Sequence, residues 1–187
     1  KNFSLSKIFI LLLPRFSIVL FIVCVLLSMY LYKGGIYHMV LDSGVSMCPG
    51  ASCTDDGHWT SGYLFFKNFL SDLGRTITHG GHDNFHSSLL FNMALTFGGV
   101  TYILFYIYLR DFFKNNPLAN LGSLLGICGA ICFIGVAFTP ADLFLPSHII
   151  FNLWIFRLFL ISISIYLLWR AFVGLLILND SPSPIYC

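Results

Sequence analysis

Four long stretches of the chain are almost wholly apolar, and polar segments separate them. A helix that crosses a bilayer needs about 20 consecutive, mostly apolar residues. The stretches that meet this requirement cover residues 13–33, 88–109, 118–138 and 148–169. The pattern predicts an all-α fold, a polytopic transmembrane helix bundle that forms a single membrane domain over residues 1–187. We expect four spans to be a minimum, because the sequence begins at Lys1 instead of a methionine.

The polar segment between the first two spans, residues 34–85, contains a shorter helical pattern. Apolar side chains recur there at intervals of three or four positions, namely Trp59, Tyr63, Phe66, Leu70 and Leu73. Such spacing is typical of a helix with one apolar face. At about 15 residues this helix is too short to span a bilayer. We therefore predict an interfacial helix over about 59–73, which would carry Asp72 to the mouth of the bundle.

Composition and charge agree with a membrane protein and indicate its orientation. Of the 187 residues, 57% are hydrophobic and 10% are charged, and the mean hydropathy is +0.84. Lys and Arg are concentrated on one side of the spans, whereas Asp residues are concentrated in loops 34–85 and 139–147. Because cytoplasmic loops carry an excess of Lys and Arg, we expect a cytoplasmic N-terminus and outward-facing loops. No basic cluster of the kind that binds nucleic acid is present, so we expect no nucleic-acid partner.

Two cysteines, Cys48 and Cys53, lie close together in the predicted outward loop. Disulfides persist in oxidising compartments, so we predict a disulfide between them. Two free thiols, or two ligands of a metal ion, are the alternatives.

Several polar residues lie inside the predicted spans. Ser88, Asn92 and Thr96 fall on one helix face, which should pack against other helices because polar groups need partners in hydrocarbon. Asn152 lies one turn deeper than His148 in the fourth span. Arg157 lies about 13 Å into a core about 30 Å thick, with no acidic residue in the other span cores. A water-filled cavity, a bound lipid head group or a missing partner segment would explain it.

A cluster of potential metal ligands is expected at the outer mouth. His79, His82 and His86 precede the second span, and Asp142 and His148 flank the start of the fourth. His and Asp side chains bind zinc, although the spacing H-x-x-H-x-x-x-H matches no strict zinc signature. Solvated loop histidines are the simpler interpretation. Haem held by His86 and His148 is a further alternative, disfavoured because no second histidine pair lies deeper.

The order of several short motifs resembles the polytopic domain-of-unknown-function 998 family, and more distantly the Frag/DRAM-type membrane proteins. The motifs are NFLSDLG (68–74), HSSLLFNMALTFGG (86–99) and GICGAICFIGVAFTPAD (126–142), followed by His148. The resemblance covers most of residues 68–160 and points to Asp142 and His148 as the important positions. Members of that family usually have about six spans, which implies an incomplete chain or a shortened member. The resemblance implies a fold but no activity.

A weaker likeness is to membrane hydrolases of the alkaline ceramidase and adiponectin-receptor type, which place Ser, Asp and three His around zinc. It implies a zinc-dependent lipid hydrolase in which His86, Asp142 and His148 bind the metal and Asp72 is the general base, with Ser71 beside it. Our leading hypothesis is different: a lipid-contacting or accessory component of a larger membrane complex, whose partners are membrane lipids and other membrane protein subunits. A third hypothesis is an outward, pH-sensitive histidine loop.

Overall fold

The computed structural model describes residues 11–34, 62–113 and 116–179. Four long helices account for most of these residues: α1 (Leu13–Leu31), α2 (Phe85–Phe112), α3 (Pro117–Phe138) and α4 (Leu145–Asn179). Each is long and apolar enough to cross a membrane. The described ranges contain no strand, only an isolated bridge between Ile77 and Asp83. The prediction of an all-α transmembrane bundle is confirmed, and the chain is an integral membrane protein.

Local sequence signals explain where the helices begin and end. Asn84 is the N-cap residue of α2. At the start of α3 the side chain of Asn116 accepts a hydrogen bond from the backbone N–H of Leu118 at 2.9 Å, and Pro117 occupies the first turn, where a missing N–H costs nothing. The fourth helix continues about ten residues beyond the predicted end at 169, because its apolar sequence also continues.

The helices alternate in direction and pack mainly against their neighbours in sequence. Extensive contacts join α1 to α2, α2 to α3 and α3 to α4, whereas no comparable contact joins α1 to α4. The four helices therefore form an open row with α1 and α4 at its edges. Side chains of α2 and α4 also meet beside α3, where the ring centroids of Tyr102 and Phe159 are 5.6 Å apart.

Glycines of α3 allow aromatic rings to pack directly on its backbone. A Cβ atom added to Gly126 would collide with the ring of Tyr106 on α2. On the α4 side, an added Cβ would lie 3.0 Å from Tyr166 at Gly122 and 3.2 Å from Phe159 at Gly129. The spacing of these glycines in the sequence, at four and three positions, predicts close approach of neighbouring helices, and the structure confirms it.

We call the end of the bundle where α1 ends and α2 begins the capped end, since residues 62–84 contact both helices there. The predicted helix over 59–73 is replaced, in its described part, by a turn at 65–67 and a short 3-10 helix, Leu70–Gly74. The side chains of Asn68 and Asp72 accept hydrogen bonds from the backbone N–H groups of Leu64 and Phe69. Such local side-chain bonds stabilise turns in place of a continuous helix.

Candidate functional site at the capped end

Asp72 and His79 form an enclosed carboxylate–imidazole pair at the capped end. Nε2 of His79 lies 3.0 Å from Oδ1 of Asp72, and both side chains are largely buried, with 13% and 5% of their surfaces exposed. The second carboxylate oxygen of Asp72 accepts hydrogen bonds from the backbone N–H of Phe69 at 2.9 Å and from Nδ2 of Asn68 at 3.4 Å. The pair therefore ties the loop that follows the 3-10 helix back onto that helix.

Two tyrosines border this pair. Tyr32, at the end of α1, is 2% exposed, and it meets the ring of Tyr63 edge to face at 5.8 Å between centroids. Burial, reinforced by the negative charge of Asp72, raises the pKa of Tyr32 to about 12. The same two causes raise the pKa of Tyr63. Both phenols therefore stay protonated at physiological pH, and Tyr32 forms a hydrogen bond with the backbone of His79.

Asp142 holds a different part of the same loop. Its carboxylate accepts hydrogen bonds from the backbone N–H of Thr76 at 3.0 Å, from the backbone N–H of Ile77 at 3.1 Å and from the Thr76 hydroxyl. Burial alone would raise the pKa of Asp142, but these donors stabilise the carboxylate and the pKa lies below its usual value. The connection between α3 and α4 is thus fastened to the loop before α2.

The start of α2 provides a third attachment. Nδ2 of Asn84 donates to the carbonyl oxygens of Leu73 at 3.2 Å and Arg75 at 2.9 Å. The hydroxyl groups of Ser87 on α2 and Ser28 on α1 lie 2.8 Å apart, and both residues are buried. Asn84 therefore uses its side chain to hold the loop and makes no side-chain cap on α2.

His148 is buried on the first turns of α4, where its Nδ1 lies 2.6 Å from the carbonyl oxygen of Thr139. Its Nε2 is also buried and has no hydrogen-bond partner among the described residues. One turn further along, Nδ2 of Asn152 donates to the carbonyl oxygen of His148 at 3.0 Å. These contacts join the end of α3 to the beginning of α4.

The residues suggested as zinc ligands occupy separate environments. His86 is exposed beside the ring of Phe85, Asp142 binds the Thr76 loop, and His148 contacts Thr139. His79 pairs with Asp72, His82 is exposed, and Ser71 is half-buried. Within the described ranges, no group of three or more His, Cys, Asp or Glu residues could hold a metal ion.

Cys48 and Cys53, with the predicted disulfide, lie outside the described residues.

The polar residues of the span interiors also have defined positions. Nδ2 of Asn92 donates to the Ser88 hydroxyl at 3.3 Å, and the Thr96 hydroxyl donates to the carbonyl oxygen of Asn92 at 2.8 Å. None of the three is exposed, and these hydrogen bonds lie within α2. Arg157 is exposed on α4, with its guanidinium carbon 5.8 Å from the centroid of the Trp154 ring.

Sequence reasoning did not identify Tyr32, Thr76 or Thr78 as parts of the capped end. Thr78 accepts a hydrogen bond from the backbone N–H of His82 at 3.2 Å, while its own N–H donates to the carbonyl oxygen of His82 at 2.9 Å. Gly81, with φ of 78°, closes this turn. The pair of glycines at 80 and 81 is the sequence signal that could have indicated the tight loop.

Chemically, the capped end offers a buried carboxylate–imidazole pair and two protonated phenols.

Comparisons of the chain with protein-family models, with curated proteins and with solved structures found no match. The family resemblance and the zinc-hydrolase hypothesis therefore stay predictions. The hydrogen bonds described at the capped end join loops to helix ends.

Proposed function

We propose that this protein is a component of a larger membrane assembly and that α4 binds its partner at the level of Arg157. The position of Arg157 carries the proposal. The apolar part of α4 runs from Leu145 to Phe172, 28 residues or about 42 Å at 1.5 Å per residue. Arg157 lies twelve positions after Leu145, about 18 Å along the axis, and is therefore close to the middle of the span.

The guanidinium of Arg157 has little within the described chain to compensate its charge. No acidic side chain of the described residues forms an ion pair with it. A cation above an aromatic ring gains about 0.5–2 kcal/mol, and the ring of Trp154 is at the far end of the useful distance. A charge at the centre of a bilayer costs about 3 kcal/mol or more. A further partner would remove this cost.

The surface around Arg157 is free to receive that partner. Among the four spans, α4 has the smallest buried share, because it lies at the edge of the row and packs chiefly against α3. Leu153, Phe156 and Leu160 are 50%, 74% and 68% exposed on the same helix. Transmembrane helices associate through close packing and interhelical polar contacts, and this surface offers both.

We infer that the partner is a helix these 187 residues do not contain. All eight acidic residues of the sequence are aspartates that lie outside the middle of the spans, at 42, 55, 56, 72, 83, 111, 142 and 180. A second copy of the chain therefore cannot place a carboxylate opposite Arg157. The expected partner is a transmembrane helix with an Asp or Glu near its midpoint.

The test uses a polyleucine transmembrane peptide with one central Glu and an otherwise identical peptide with Gln. Energy transfer between labelled peptide and labelled protein in phosphatidylcholine vesicles measures association. We expect the Glu peptide to bind the wild-type protein about tenfold more tightly than the Gln peptide, since about 1.4 kcal/mol corresponds to tenfold.

Arg157→Leu should abolish the preference for the Glu peptide, whereas Arg170→Leu, which removes an arginine near the end of the same helix, should retain it. Equal binding of both peptides to the wild-type protein would contradict the proposal. A preference for Glu that survives Arg157→Leu would contradict the role of this residue.

A further inference from the structure

A narrow apolar groove lies between α2 and α4, near the end of the bundle opposite the capped end. Its volume is about 230 Å³. Phe105 and Tyr106 of α2 and Ile163 and Tyr166 of α4 line it, and Arg170 lies at its outer end. From Ile163 to Arg170 the groove follows about two turns of α4, or roughly 10 Å along the helix axis.

The walls of the groove offer almost no polar groups to an occupant. The hydroxyl of Tyr166 lies 2.9 Å from the carbonyl oxygen of Ala119 and 2.5 Å from the Ser123 hydroxyl, so it points into the bundle. The hydroxyl of Tyr106 lies near that of Ser162, which is buried. The two tyrosines therefore expose only their aromatic rings to the groove. Among the described residues, Arg170 supplies the single charge in the lining.

The end of the bundle around Arg170 is positively charged among the described residues. Arg15 at the start of α1 and Arg110 at the end of α2 lie at this end with Arg170, against one acidic residue, Asp111. Asp111 lies 3.8 Å from Arg110 and partly compensates it. Arg170, exposed beside the groove, is available to an anion from outside the chain.

We propose that this groove binds one acyl chain of an anionic phospholipid, with the lipid phosphate on Arg170. The occupant must combine an apolar chain with a negative head, because the walls are apolar and the outer end is cationic. A transmembrane helix, about 10 Å in diameter, is too wide for a space smaller than ordinary ligand pockets of about 300–1,000 Å³. This site does not depend on an assembly role for α4.

Spin-labelled lipids test the proposal with the whole chain in phosphatidylcholine vesicles. The fraction of motionally restricted label is measured for phosphatidylglycerol and for phosphatidylcholine. One arginine near an anionic membrane surface is worth about 1 kcal/mol, so we expect about a fivefold preference for phosphatidylglycerol. Arg170→Leu should remove most of this preference, whereas Arg157→Leu, in the middle of the same helix, should leave it unchanged.

A second pair of variants tests the groove itself. Ile163→Phe narrows the groove and should reduce the restricted population of phosphatidylglycerol, whereas Ile161→Phe, at a residue 47% exposed outside the groove, should not. Equal restriction of both lipids by the wild-type protein would overturn the proposal. So would a preference that Arg170→Leu and Ile163→Phe both leave intact.

Discussion

The carboxylate of Asp142 joins two segments that are 66 positions apart in the sequence. No cation of the described residues pairs with it; the two backbone N–H groups and the hydroxyl that donate to it supply the positive ends of their dipoles. Hydrogen bonds of this charge-assisted kind are about twice as strong as those between neutral groups. The backbone N–H groups of Thr76 and Ile77 both donate to this side chain, while their carbonyl oxygens accept hydrogen bonds from Asn84 and Arg75.

Asp142→Asn should therefore weaken the capped end. The amide has one acceptor oxygen, and its NH₂ group faces N–H donors with which it cannot bond. We expect the free energy of unfolding in mild detergent to fall by about 2 kcal/mol. Asp83→Asn, at an exposed position in the same loop, is the matched control and should change it little.

The pKa of Asp142, lowered by its hydrogen bonds, sets the pH range of this effect. A carboxylate with a lower pKa in the folded state stabilises the fold above its unfolded pKa, about 3.9, and the contribution is lost as pH falls through the folded pKa. The Tm difference between wild type and Asp142→Asn should reach its maximum above about pH 5 and should decrease below about pH 4. A difference that grows on acidification would contradict this assignment.

Residue-level contacts of this kind had little signal in the sequence. Asp142 and His148 were suggested as ligands of one zinc site, but α4 begins between them at Leu145, and they bond to different partners. Asp72 and His79 are seven positions apart and meet through the fold of residues 73–78, and the pattern of apolar residues contains no information on that fold.

At the level of the elements, the spacing of apolar residues predicted most of the architecture. The predicted starts of the four spans lie within three residues of the helix starts. The glycine spacing of α3 predicted close packing, but it could not identify Tyr106 as the ring that fills the space at Gly126. The prediction of one helix over 59–73 is wrong in its described part, 62–73. The spacing of apolar residues takes no account of the side-chain hydrogen bonds of Asn68 and Asp72.

Gly126→Ala tests how closely α2 and α3 approach each other. The added methyl group would collide with the Tyr106 ring, and either the ring or the helix must move. Overpacking of this kind typically costs about 1–3 kcal/mol, so the Tm in detergent should fall clearly. Gly62→Ala, where the nearest atom would be 3.9 Å away, is the control. Equal Tm values for the two variants would show that the helices are farther apart.

For the whole molecule, the order of the helices in the open row can be tested by cross-linking. The hydroxyl oxygens of Ser28 on α1 and Ser87 on α2 are 2.8 Å apart, so Ser28→Cys combined with Ser87→Cys should form a disulfide on mild oxidation. Peptide mass mapping would identify it among the native cysteines. Ser17→Cys with Ser162→Cys, both also buried but on α1 and α4, should form none. Cross-linking of the second pair would indicate a closed ring.

The row also has a consequence for the way the protein is made. Each of α2, α3 and α4 packs against the helix synthesised just before it, so none of them needs a distant helix in order to pack. Contacts between neighbours in sequence form quickly, because little chain entropy is lost in bringing them together. The four described helices can therefore assemble one at a time during translation, and the open edge of α4 is exposed to further helices as soon as α4 has inserted.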